Sequence, residues 1–182
     1  MYYPLVDEGS TDEQFCDNTN TLTRYSDGEW VQMVAISVAW RTGWAQFFVN
    51  YTNQDGVSGR ITPIVQQNTT SVNGSVVTHM PTGAANNCFT IPLQAWDSGV
   101  RSIESVTMVT TDVGLFSILL VKPLASFTWP QDLFSPAEVD FLTMSNTMVE
   151  IKPNAYLNAF IQPVASISGT TLTFAITTQW TS

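Results

Sequence analysis

Positive charge is what this chain has least of: six lysines and arginines stand against fifteen acids, a formal net charge of -9. Seven of the acids, Asp7, Glu8, Asp12, Glu13, Asp17, Asp27 and Glu29, lie in the first 29 residues, where Arg24 is the one base. Such a stretch repels phosphates and cannot supply the counterion-releasing contacts on which most nucleic-acid affinity rests, so no direct nucleic-acid partner is expected. Histidine occurs once, at His79, and no His-x-His, Cys-x-x-Cys or Asp-x-Asp-x-Asp pattern is present, so neither a metal nor any other cofactor is expected. The two cysteines, Cys16 in the acidic stretch and Cys88 in a loop-like AANNCF segment, are far apart and imply two thiols rather than a disulfide. No apolar run approaches the roughly eighteen residues that cross a bilayer. The longest, Leu115 to Val121, has the length of a strand, and no membrane partner is expected. The N-terminal residues carry no basic stretch followed by an apolar one, which predicts a soluble product that stays inside the cell that makes it.

Alternation of apolar and polar residues with period two takes the place of these missing features, and no window longer than about ten residues carries a convincing 3.6 period. The pattern predicts an all-β fold, an antiparallel β-sandwich of jelly-roll or Greek-key type. Its expected strands are Val31 to Trp40, Ala45 to Tyr51, Arg60 to Gln67, Ser75 to His79, Cys88 to Pro92, Ile103 to Thr110, Leu115 to Val121, Tyr156 to Pro163 and Thr170 to Gln179. Turn signals separate most of them, among them Thr42-Gly43, Asp55-Gly56, Asn73-Gly74 and Ser168-Gly169, which favour the positive φ of tight turns. One short helix is expected at Ser135 to Leu142, with Ser135 as cap and Pro136 in the first turn, after an extended crossover from Pro123 to Pro130. A length of 182 residues suits one core. We expect an acidic, extended N-terminal arm over 1–28 and a single sandwich domain over 29–182.

The segment from Asp27 to Arg60 has an echo about seventy positions later: WVQMVAISVAW, RTGW and AQFFVNY correspond to VRSIESVTMV, TTDVG and LFSILLV. Asp27 aligns with Asp97, Gly43 with Gly114, and Phe47-Phe48-Val49 with Ile118-Leu119-Leu120. Both stretches read as hairpins, and any two hairpins resemble one another at this level of identity.

The sequence carries no catalytic signature. GVSGR at Gly56 to Arg60 resembles a nucleophile elbow only superficially, and its glycines are explained by a turn. Glu104, Asp112, Glu138, Asp140 and Glu150 could in principle supply a carboxylate pair, but nothing fixes a separation between them. The chain is therefore read as a non-enzyme. Its sequons at Asn50, Asn68 and Asn73 would matter only in a secretory pathway. Six tryptophans remain, Trp30, Trp40, Trp44, Trp96, Trp129 and Trp180, of which core packing should claim about half. Trp44 in a turn and Trp129 in the crossover are the candidate protein- or glycan-contact residues, and Tyr2, Tyr3, Leu5 and Phe15 are the candidate anchors of the arm.

VNYTNQDGVSGRITP, LVKPLASFTWP and PAEVDFLTMSNTMVEIKPNAYLNAFI together resemble structural proteins of tailed bacteriophages. Such proteins carry a strand ending in a VTYTNQDGVAGR type of turn, a proline-led crossover and a DGAYL type of strand. Here the last reads Pro153-Asn154-Ala155-Tyr156-Leu157, without the Asp-Gly pair. The resemblance covers about two thirds of the chain, from Val49 onward, with a gap in the middle. It implies a virion β-sandwich of decoration, cement or fibre type, made in the host cytoplasm. The acidic arm and the presence of only two lysines, Lys122 and Lys152, favour the outer capsid surface over a genome-facing lining. The expected function is a cement protein that stabilises the shell at capsomer junctions as a symmetric homo-oligomer, a trimer, with itself and the major capsid protein as partners. The alternatives are a receptor-binding or tail-fibre module that recognises a glycan and a single jelly-roll major capsid protein.

Overall fold

A computed structural model of the chain describes residues 5–16, 22–68, 72–77, 79–81, 89–126 and 150–161. Among the described residues nine strands run in the order β1 Leu5–Asp7, β2 Gln14–Phe15, β3 Gln32–Ala39, β4 Gln46–Asn53, β5 Arg60–Ile61, β6 Val65–Gln67, β7 His79–Pro81, β8 Val100–Met108 and β9 Leu115–Val121. All pair antiparallel, in a three-stranded sheet β1-β9-β3 and a six-stranded sheet β2-β8-β4-β6-β7 in which β5 also pairs with β4. The two sheets pack face to face, and among the described residues there is no helix. The protein is an all-β sandwich. The expected helix at Ser135 to Leu142 and the strand at Thr170 to Gln179 lie outside the described residues.

Alternation builds the core. In β4, Phe47, Val49, Tyr51 and Asn53 are buried while Gln46, Phe48, Asn50 and Thr52 are only partly so. The inward set meets Met33 and Ala35 of β3, Ile103, Val106 and Met108 of β8, and Phe116, Ile118 and Leu120 of β9. Phe47 and Phe116 join the sheets directly, their ring centroids 4.9 Å apart and tilted by 47°. Burial of each such side chain contributes about 1.5–3 kcal/mol, and a tilted ring pair adds roughly 0.5–1.5 kcal/mol. The small sheet is buried on both faces: Val34 and Leu119, which the register sets opposite each other, point away from Met33 and Leu120 yet are 0% and 6% exposed. That double burial is why LFSILLV reads as a continuous apolar run instead of an alternating one.

The two echoing segments are not hairpins. β3 and β4 lie in different sheets, as do β8 and β9, so residues 40–45 and 109–114 carry the chain across the sandwich rather than back along one ladder. Each pair of strands is an arch, and the two arches interlock, β3 pairing with β9 and β4 with β8. Their beginnings also touch: a Cβ on Gly99 would stand 2.0 Å from the Gly28 carbonyl oxygen, a space only glycine leaves open. A register shift follows Asn50 and another follows Thr52, where β8 bulges against β4.

Both open sides of the sandwich are closed by chain segments that step from one sheet to the other. On one side the acidic stretch lays β1 against β9 and β2 against β8, pairing Leu5 with Ser117 and Phe15 with Ser105. On the other, residues 74–77 run along β3, with Val77 N donating to Ala35 O at 2.8 Å and Val76 bridged to Ile36, before β7 joins β6. Residues 5–16 thus lie on the chain's own sheets, where the sequence predicted an extended arm.

Smaller expectations also change. The strand expected over Arg60 to Gln67 is broken at Pro63, which has no N–H for a ladder, into β5 and β6. Of the strand expected over Cys88 to Pro92, the described residues 89–92 form none; Ile91 N donates to Met33 O at 2.8 Å. Residues 156–161 carry no assigned strand, and the partner expected for them, Thr170 to Gln179, lies outside the described residues.

Candidate functional site

The four long strands end at two poles, and side-chain chemistry concentrates there. The first pole gathers the β4–β5 turn, the stretch before β3 and the stretch before β8. Asn53, the last residue of β4, accepts from Asp55 N at 3.1 Å and Val57 N at 2.9 Å on its Oδ1, which folds the NQDG segment on itself. Asp97 is the hub. Its Oδ2 accepts from the Tyr51 hydroxyl at 2.5 Å and from Arg60 Nε at 2.9 Å, and its Oδ1 from Asn53 Nδ2 at 2.8 Å. Burial alone would raise this carboxyl, but the bonds from Arg60, Tyr51 and Asn53 outweigh it and hold it below the ordinary aspartate value. Burial and the Asp97 carboxylate push the Tyr51 hydroxyl far up, so it stays a donor. Two further cations are held by main-chain oxygens: Arg101 Nε donates to Asp27 O at 3.0 Å and Gln54 O at 2.9 Å, and Lys122 Nζ to Glu29 O at 2.8 Å.

The second pole is made by the two arch turns, and the acidic stretch folds into it. Glu8 N donates to Gly114 O at 3.0 Å and Asp112 N to Glu8 O at 2.8 Å, which draws the Glu8 side chain inward. There it meets Arg41 Nε at 2.5 Å, both side chains fully buried. Arg41 also donates through Nη2 to Gln67 Oε1, so the guanidinium ties the first arch turn to β6. Burial is the largest influence on Glu8 and raises its carboxyl above the ordinary value of 4.5 despite Arg41. The Thr42 hydroxyl donates to Asp112 Oδ1, locking one arch turn onto the other. Burial would raise Asp112 too, yet the bonds from Thr42 and from backbone amides bring it below the usual aspartate value. A Cβ on Gly114, at φ 137°, would stand 2.8 Å from Ala39 O, so this close approach of the turns requires glycine.

Tyr51, Asn53, Arg60 and Asp97 at one pole and Glu8, Arg41, Thr42 and Asp112 at the other hold the turns together, and His79 lies on β7. Among the described residues no group of three or more His, Cys, Asp or Glu side chains is placed to hold a metal ion. Cys16 forms no disulfide, and Cys88 lies outside the described residues.

What the poles present to solvent is aromatic. Trp30 and Trp96 stand at the Asp97 pole and Trp40 and Trp44 at the arch pole, 58%, 98%, 83% and 58% exposed. All four have a left-handed backbone, with φ of 59°, 75°, 58° and 71° in the same order. For a bulky L-residue that conformation costs on the order of 1–2 kcal/mol. The expectation that the core claims about half of the tryptophans fails for these four: they occupy turns, where the backbone aims the ring outward. A shallow groove beside Trp40 is lined by Ala39, Arg41, Thr42 and Asn73.

Trp44 is exposed in the first arch turn, while Trp129, Tyr2 and Tyr3 lie outside the described residues. Leu5 and Phe15 are exposed, 65% and 79%, on opposite outer faces of the sandwich, so they do not join Trp44 in one patch. Sequence reasoning passed over Trp30, Trp40 and Trp96; for the last two a signal was present. The available signal was the neighbourhood of each, Trp-Arg-Thr-Gly and Trp-Asp-Ser-Gly, since a tryptophan leading into a turn has no strand face to bury it. No signal pointed to the Glu8–Arg41 pair.

No family model, curated protein or solved structure matches the chain.

Proposed function

We propose that the chain is a non-enzymatic structural protein of a virion, a decoration or cement protein of the kind tailed bacteriophages place on the outer capsid surface, where it stabilises capsomer junctions as an oligomer. The observation that carries this reading is the set of four tryptophans held outward on strained turns at the two poles. Exposed aromatics anchored on a rigid scaffold are contact residues, and large aromatic side chains dominate the energetics of protein interfaces. The turn at Asn53 to Arg60, where the resemblance to phage proteins is closest, supports the reading as well, because its polar side chains shape a surface. Purified protein added to shells that lack it should bind at a copy number set by the capsid lattice, counted by cryo-EM, and raise the temperature at which the shells open. Failure to bind, with shells equally resistant to heat in its absence, overturns the proposal.

One observation favours a second reading. The groove beside Trp40 joins an aromatic ring to the polar side chains Thr42 and Asn73, a combination suited to stacking on and hydrogen-bonding a sugar. A receptor-binding module would then show oligosaccharide affinity that is lost on Trp40→Ala or Trp44→Ala.

A further inference from the structure

The first arch turn presents two rings to solvent in the company of carboxylates. Trp40 and Trp44 stand at its two ends, both exposed, and Asp112 reaches its middle by accepting from the Thr42 hydroxyl. Asp7 and Asp112 both border Gly9: a Cβ built there would stand 3.2 Å from Asp7 Oδ1 and 3.8 Å from Asp112 O. Asp12 follows in the exposed loop that leaves β1, its amide donating to Ser10 Oγ at 3.1 Å. Arg41 lines the groove beside Trp40, but its side chain is fully buried and its guanidinium is tied to Glu8 and Gln67. The structure describes all six lysines and arginines of the chain, and the other five lie toward the Asp97 pole among at least as many acids. There Arg60 pairs with Asp97 and Lys152 with Glu150, while main-chain oxygens hold Arg101. Lys122 donates to Glu29 O and lies over the Tyr25 ring, its Nζ 4.7 Å from the centroid. The chain's own cations are thus engaged within the copy that carries them, and none but the buried Arg41 stands at the arch pole.

We propose that the arch pole is a docking surface for a basic segment of a different protein, whose arginine side chains lie over Trp40 and Trp44 while Asp7, Asp12 and Asp112 face their charge. The inference deepens the reading of this chain as a contact-making protein and rests on it: the segment would belong to the shell surface that the chain covers. Two features of the pole select this partner. The face of an aromatic ring is its negative side, so it attracts a cation, and a guanidinium can stack flat on an indole while keeping its donors for carboxylates. The carboxylates around the rings then repel phosphates, acidic sugars and acidic peptides, and a second copy of this chain, at a net charge of -9, brings no free cation to the site. Lys122 over Tyr25 shows the same cation-on-ring contact made within the chain.

The probe is the capped peptide Gly-Arg-Gly-Arg-Gly, with glutamine or glutamate in place of arginine in two controls, titrated into the full chain and followed by NMR through the indole N–H signals. The arginine peptide should shift the Trp40 and Trp44 signals and leave that of Trp96 in place, with an affinity that falls as salt rises. The glutamine peptide should bind about fivefold or more weakly, and the glutamate peptide should not bind. Asparagine adopts the left-handed backbone more readily than tryptophan, so Trp40→Asn removes a ring without straining the turn and should weaken the arginine peptide about fivefold or more. Asp7→Asn with Asp12→Asn should weaken it as well, whereas Glu29→Gln with Asp55→Asn, the same loss of charge at the other pole, should change it less than about twofold. A thermal melt confirms that each variant folds. Unmoved Trp40 and Trp44 signals overturn the proposal, as does equal affinity for the glutamine peptide or an equal loss from the two charge variants. If the arginine peptide fails while the chain still binds capsid shells, the basic partner is wrong and the cement reading stands; if the peptide binds as stated and the shells do not, the docking surface stands and the cement reading falls.

Discussion

Each pole of the sandwich is held by a carboxylate and a guanidinium, and the two pairs answer to opposite physics. Glu8 and Arg41 are both fully buried, whereas Arg60 keeps 27% of its side chain in solvent beside Asp97. Burial wins at Glu8, whose carboxyl is raised; hydrogen bonds win at Asp97, whose carboxyl is lowered. The contrast shows that an ion pair's contribution is set by what replaces the lost water. Asp97 receives three side-chain donors and retains solvent on its partner, while Glu8 gives up its hydration for a single close cation.

The sharpest way to break the comparison is to remove one partner at each pole. Arg41→Ala leaves the Glu8 carboxylate buried without its cation and should lower stability by about 3–5 kcal/mol in urea unfolding. The double variant Glu8→Gln with Arg41→Met should recover most of that loss, since the pair as a whole gains little over a neutral replacement. At the other pole, Asp97→Asn keeps the shape, weakens the bonds from Arg60 and Tyr51, and should cost roughly 1.5–3 kcal/mol. Loss at Asp97→Asn exceeding that at Arg41→Ala would reverse the ranking of the poles.

Acid titration separates the pairs by sign. Asp97 has a lowered folded-state value, so it contributes stability above its ordinary 3.8, which is lost as pH falls through the folded value. Glu8 has a raised value, so the folded chain holds its proton more tightly than the unfolded one. Its favourable contribution is present below 4.5 and is lost as pH rises through the folded value. Unfolding free energies measured across pH should therefore lose their steepest acid-side fall in Asp97→Asn, and lose a decline on the side above 4.5 in Glu8→Gln. The smallest expected effect concerns the tryptophans: Trp44→Asn relieves a left-handed turn and should leave stability unchanged or raise it by up to about 1 kcal/mol, read as a small upward shift in Tm. A clear loss would mean that this exposed ring supports the fold.

Much of the fold was legible in the sequence. Leu115 to Val121 was bounded to the residue, because a strand buried on both faces needs an unbroken apolar run. β3 and β4 were placed within two residues through their alternation. The arches were not legible, since Thr42-Gly43 and Asp112-Val113-Gly114 report only that the chain reverses. Whether it returns along its own ladder or crosses to another sheet depends on partners some seventy residues away, and the interlocked pairing of β3 with β9 is invisible locally. The same distance hid Glu8. Its run of acidic neighbours reads as a solvated tail, and nothing in Asp7 to Glu13 announces that one carboxylate will turn inward to meet Arg41, 33 residues on.

The strand β1 also imposes an order of events on synthesis. Leu5 pairs with Ser117 and Asp7 with Leu115, so the first strand made has no ladder to join until the ninth leaves the ribosome. Closing a loop of about 110 residues is slow, and pairings so distant in sequence lower folding rates. The nascent chain must wait with its N-terminus unplaced. The concentration of carboxylates there keeps that waiting segment apart from other nascent chains by simple repulsion until β9 arrives to receive it.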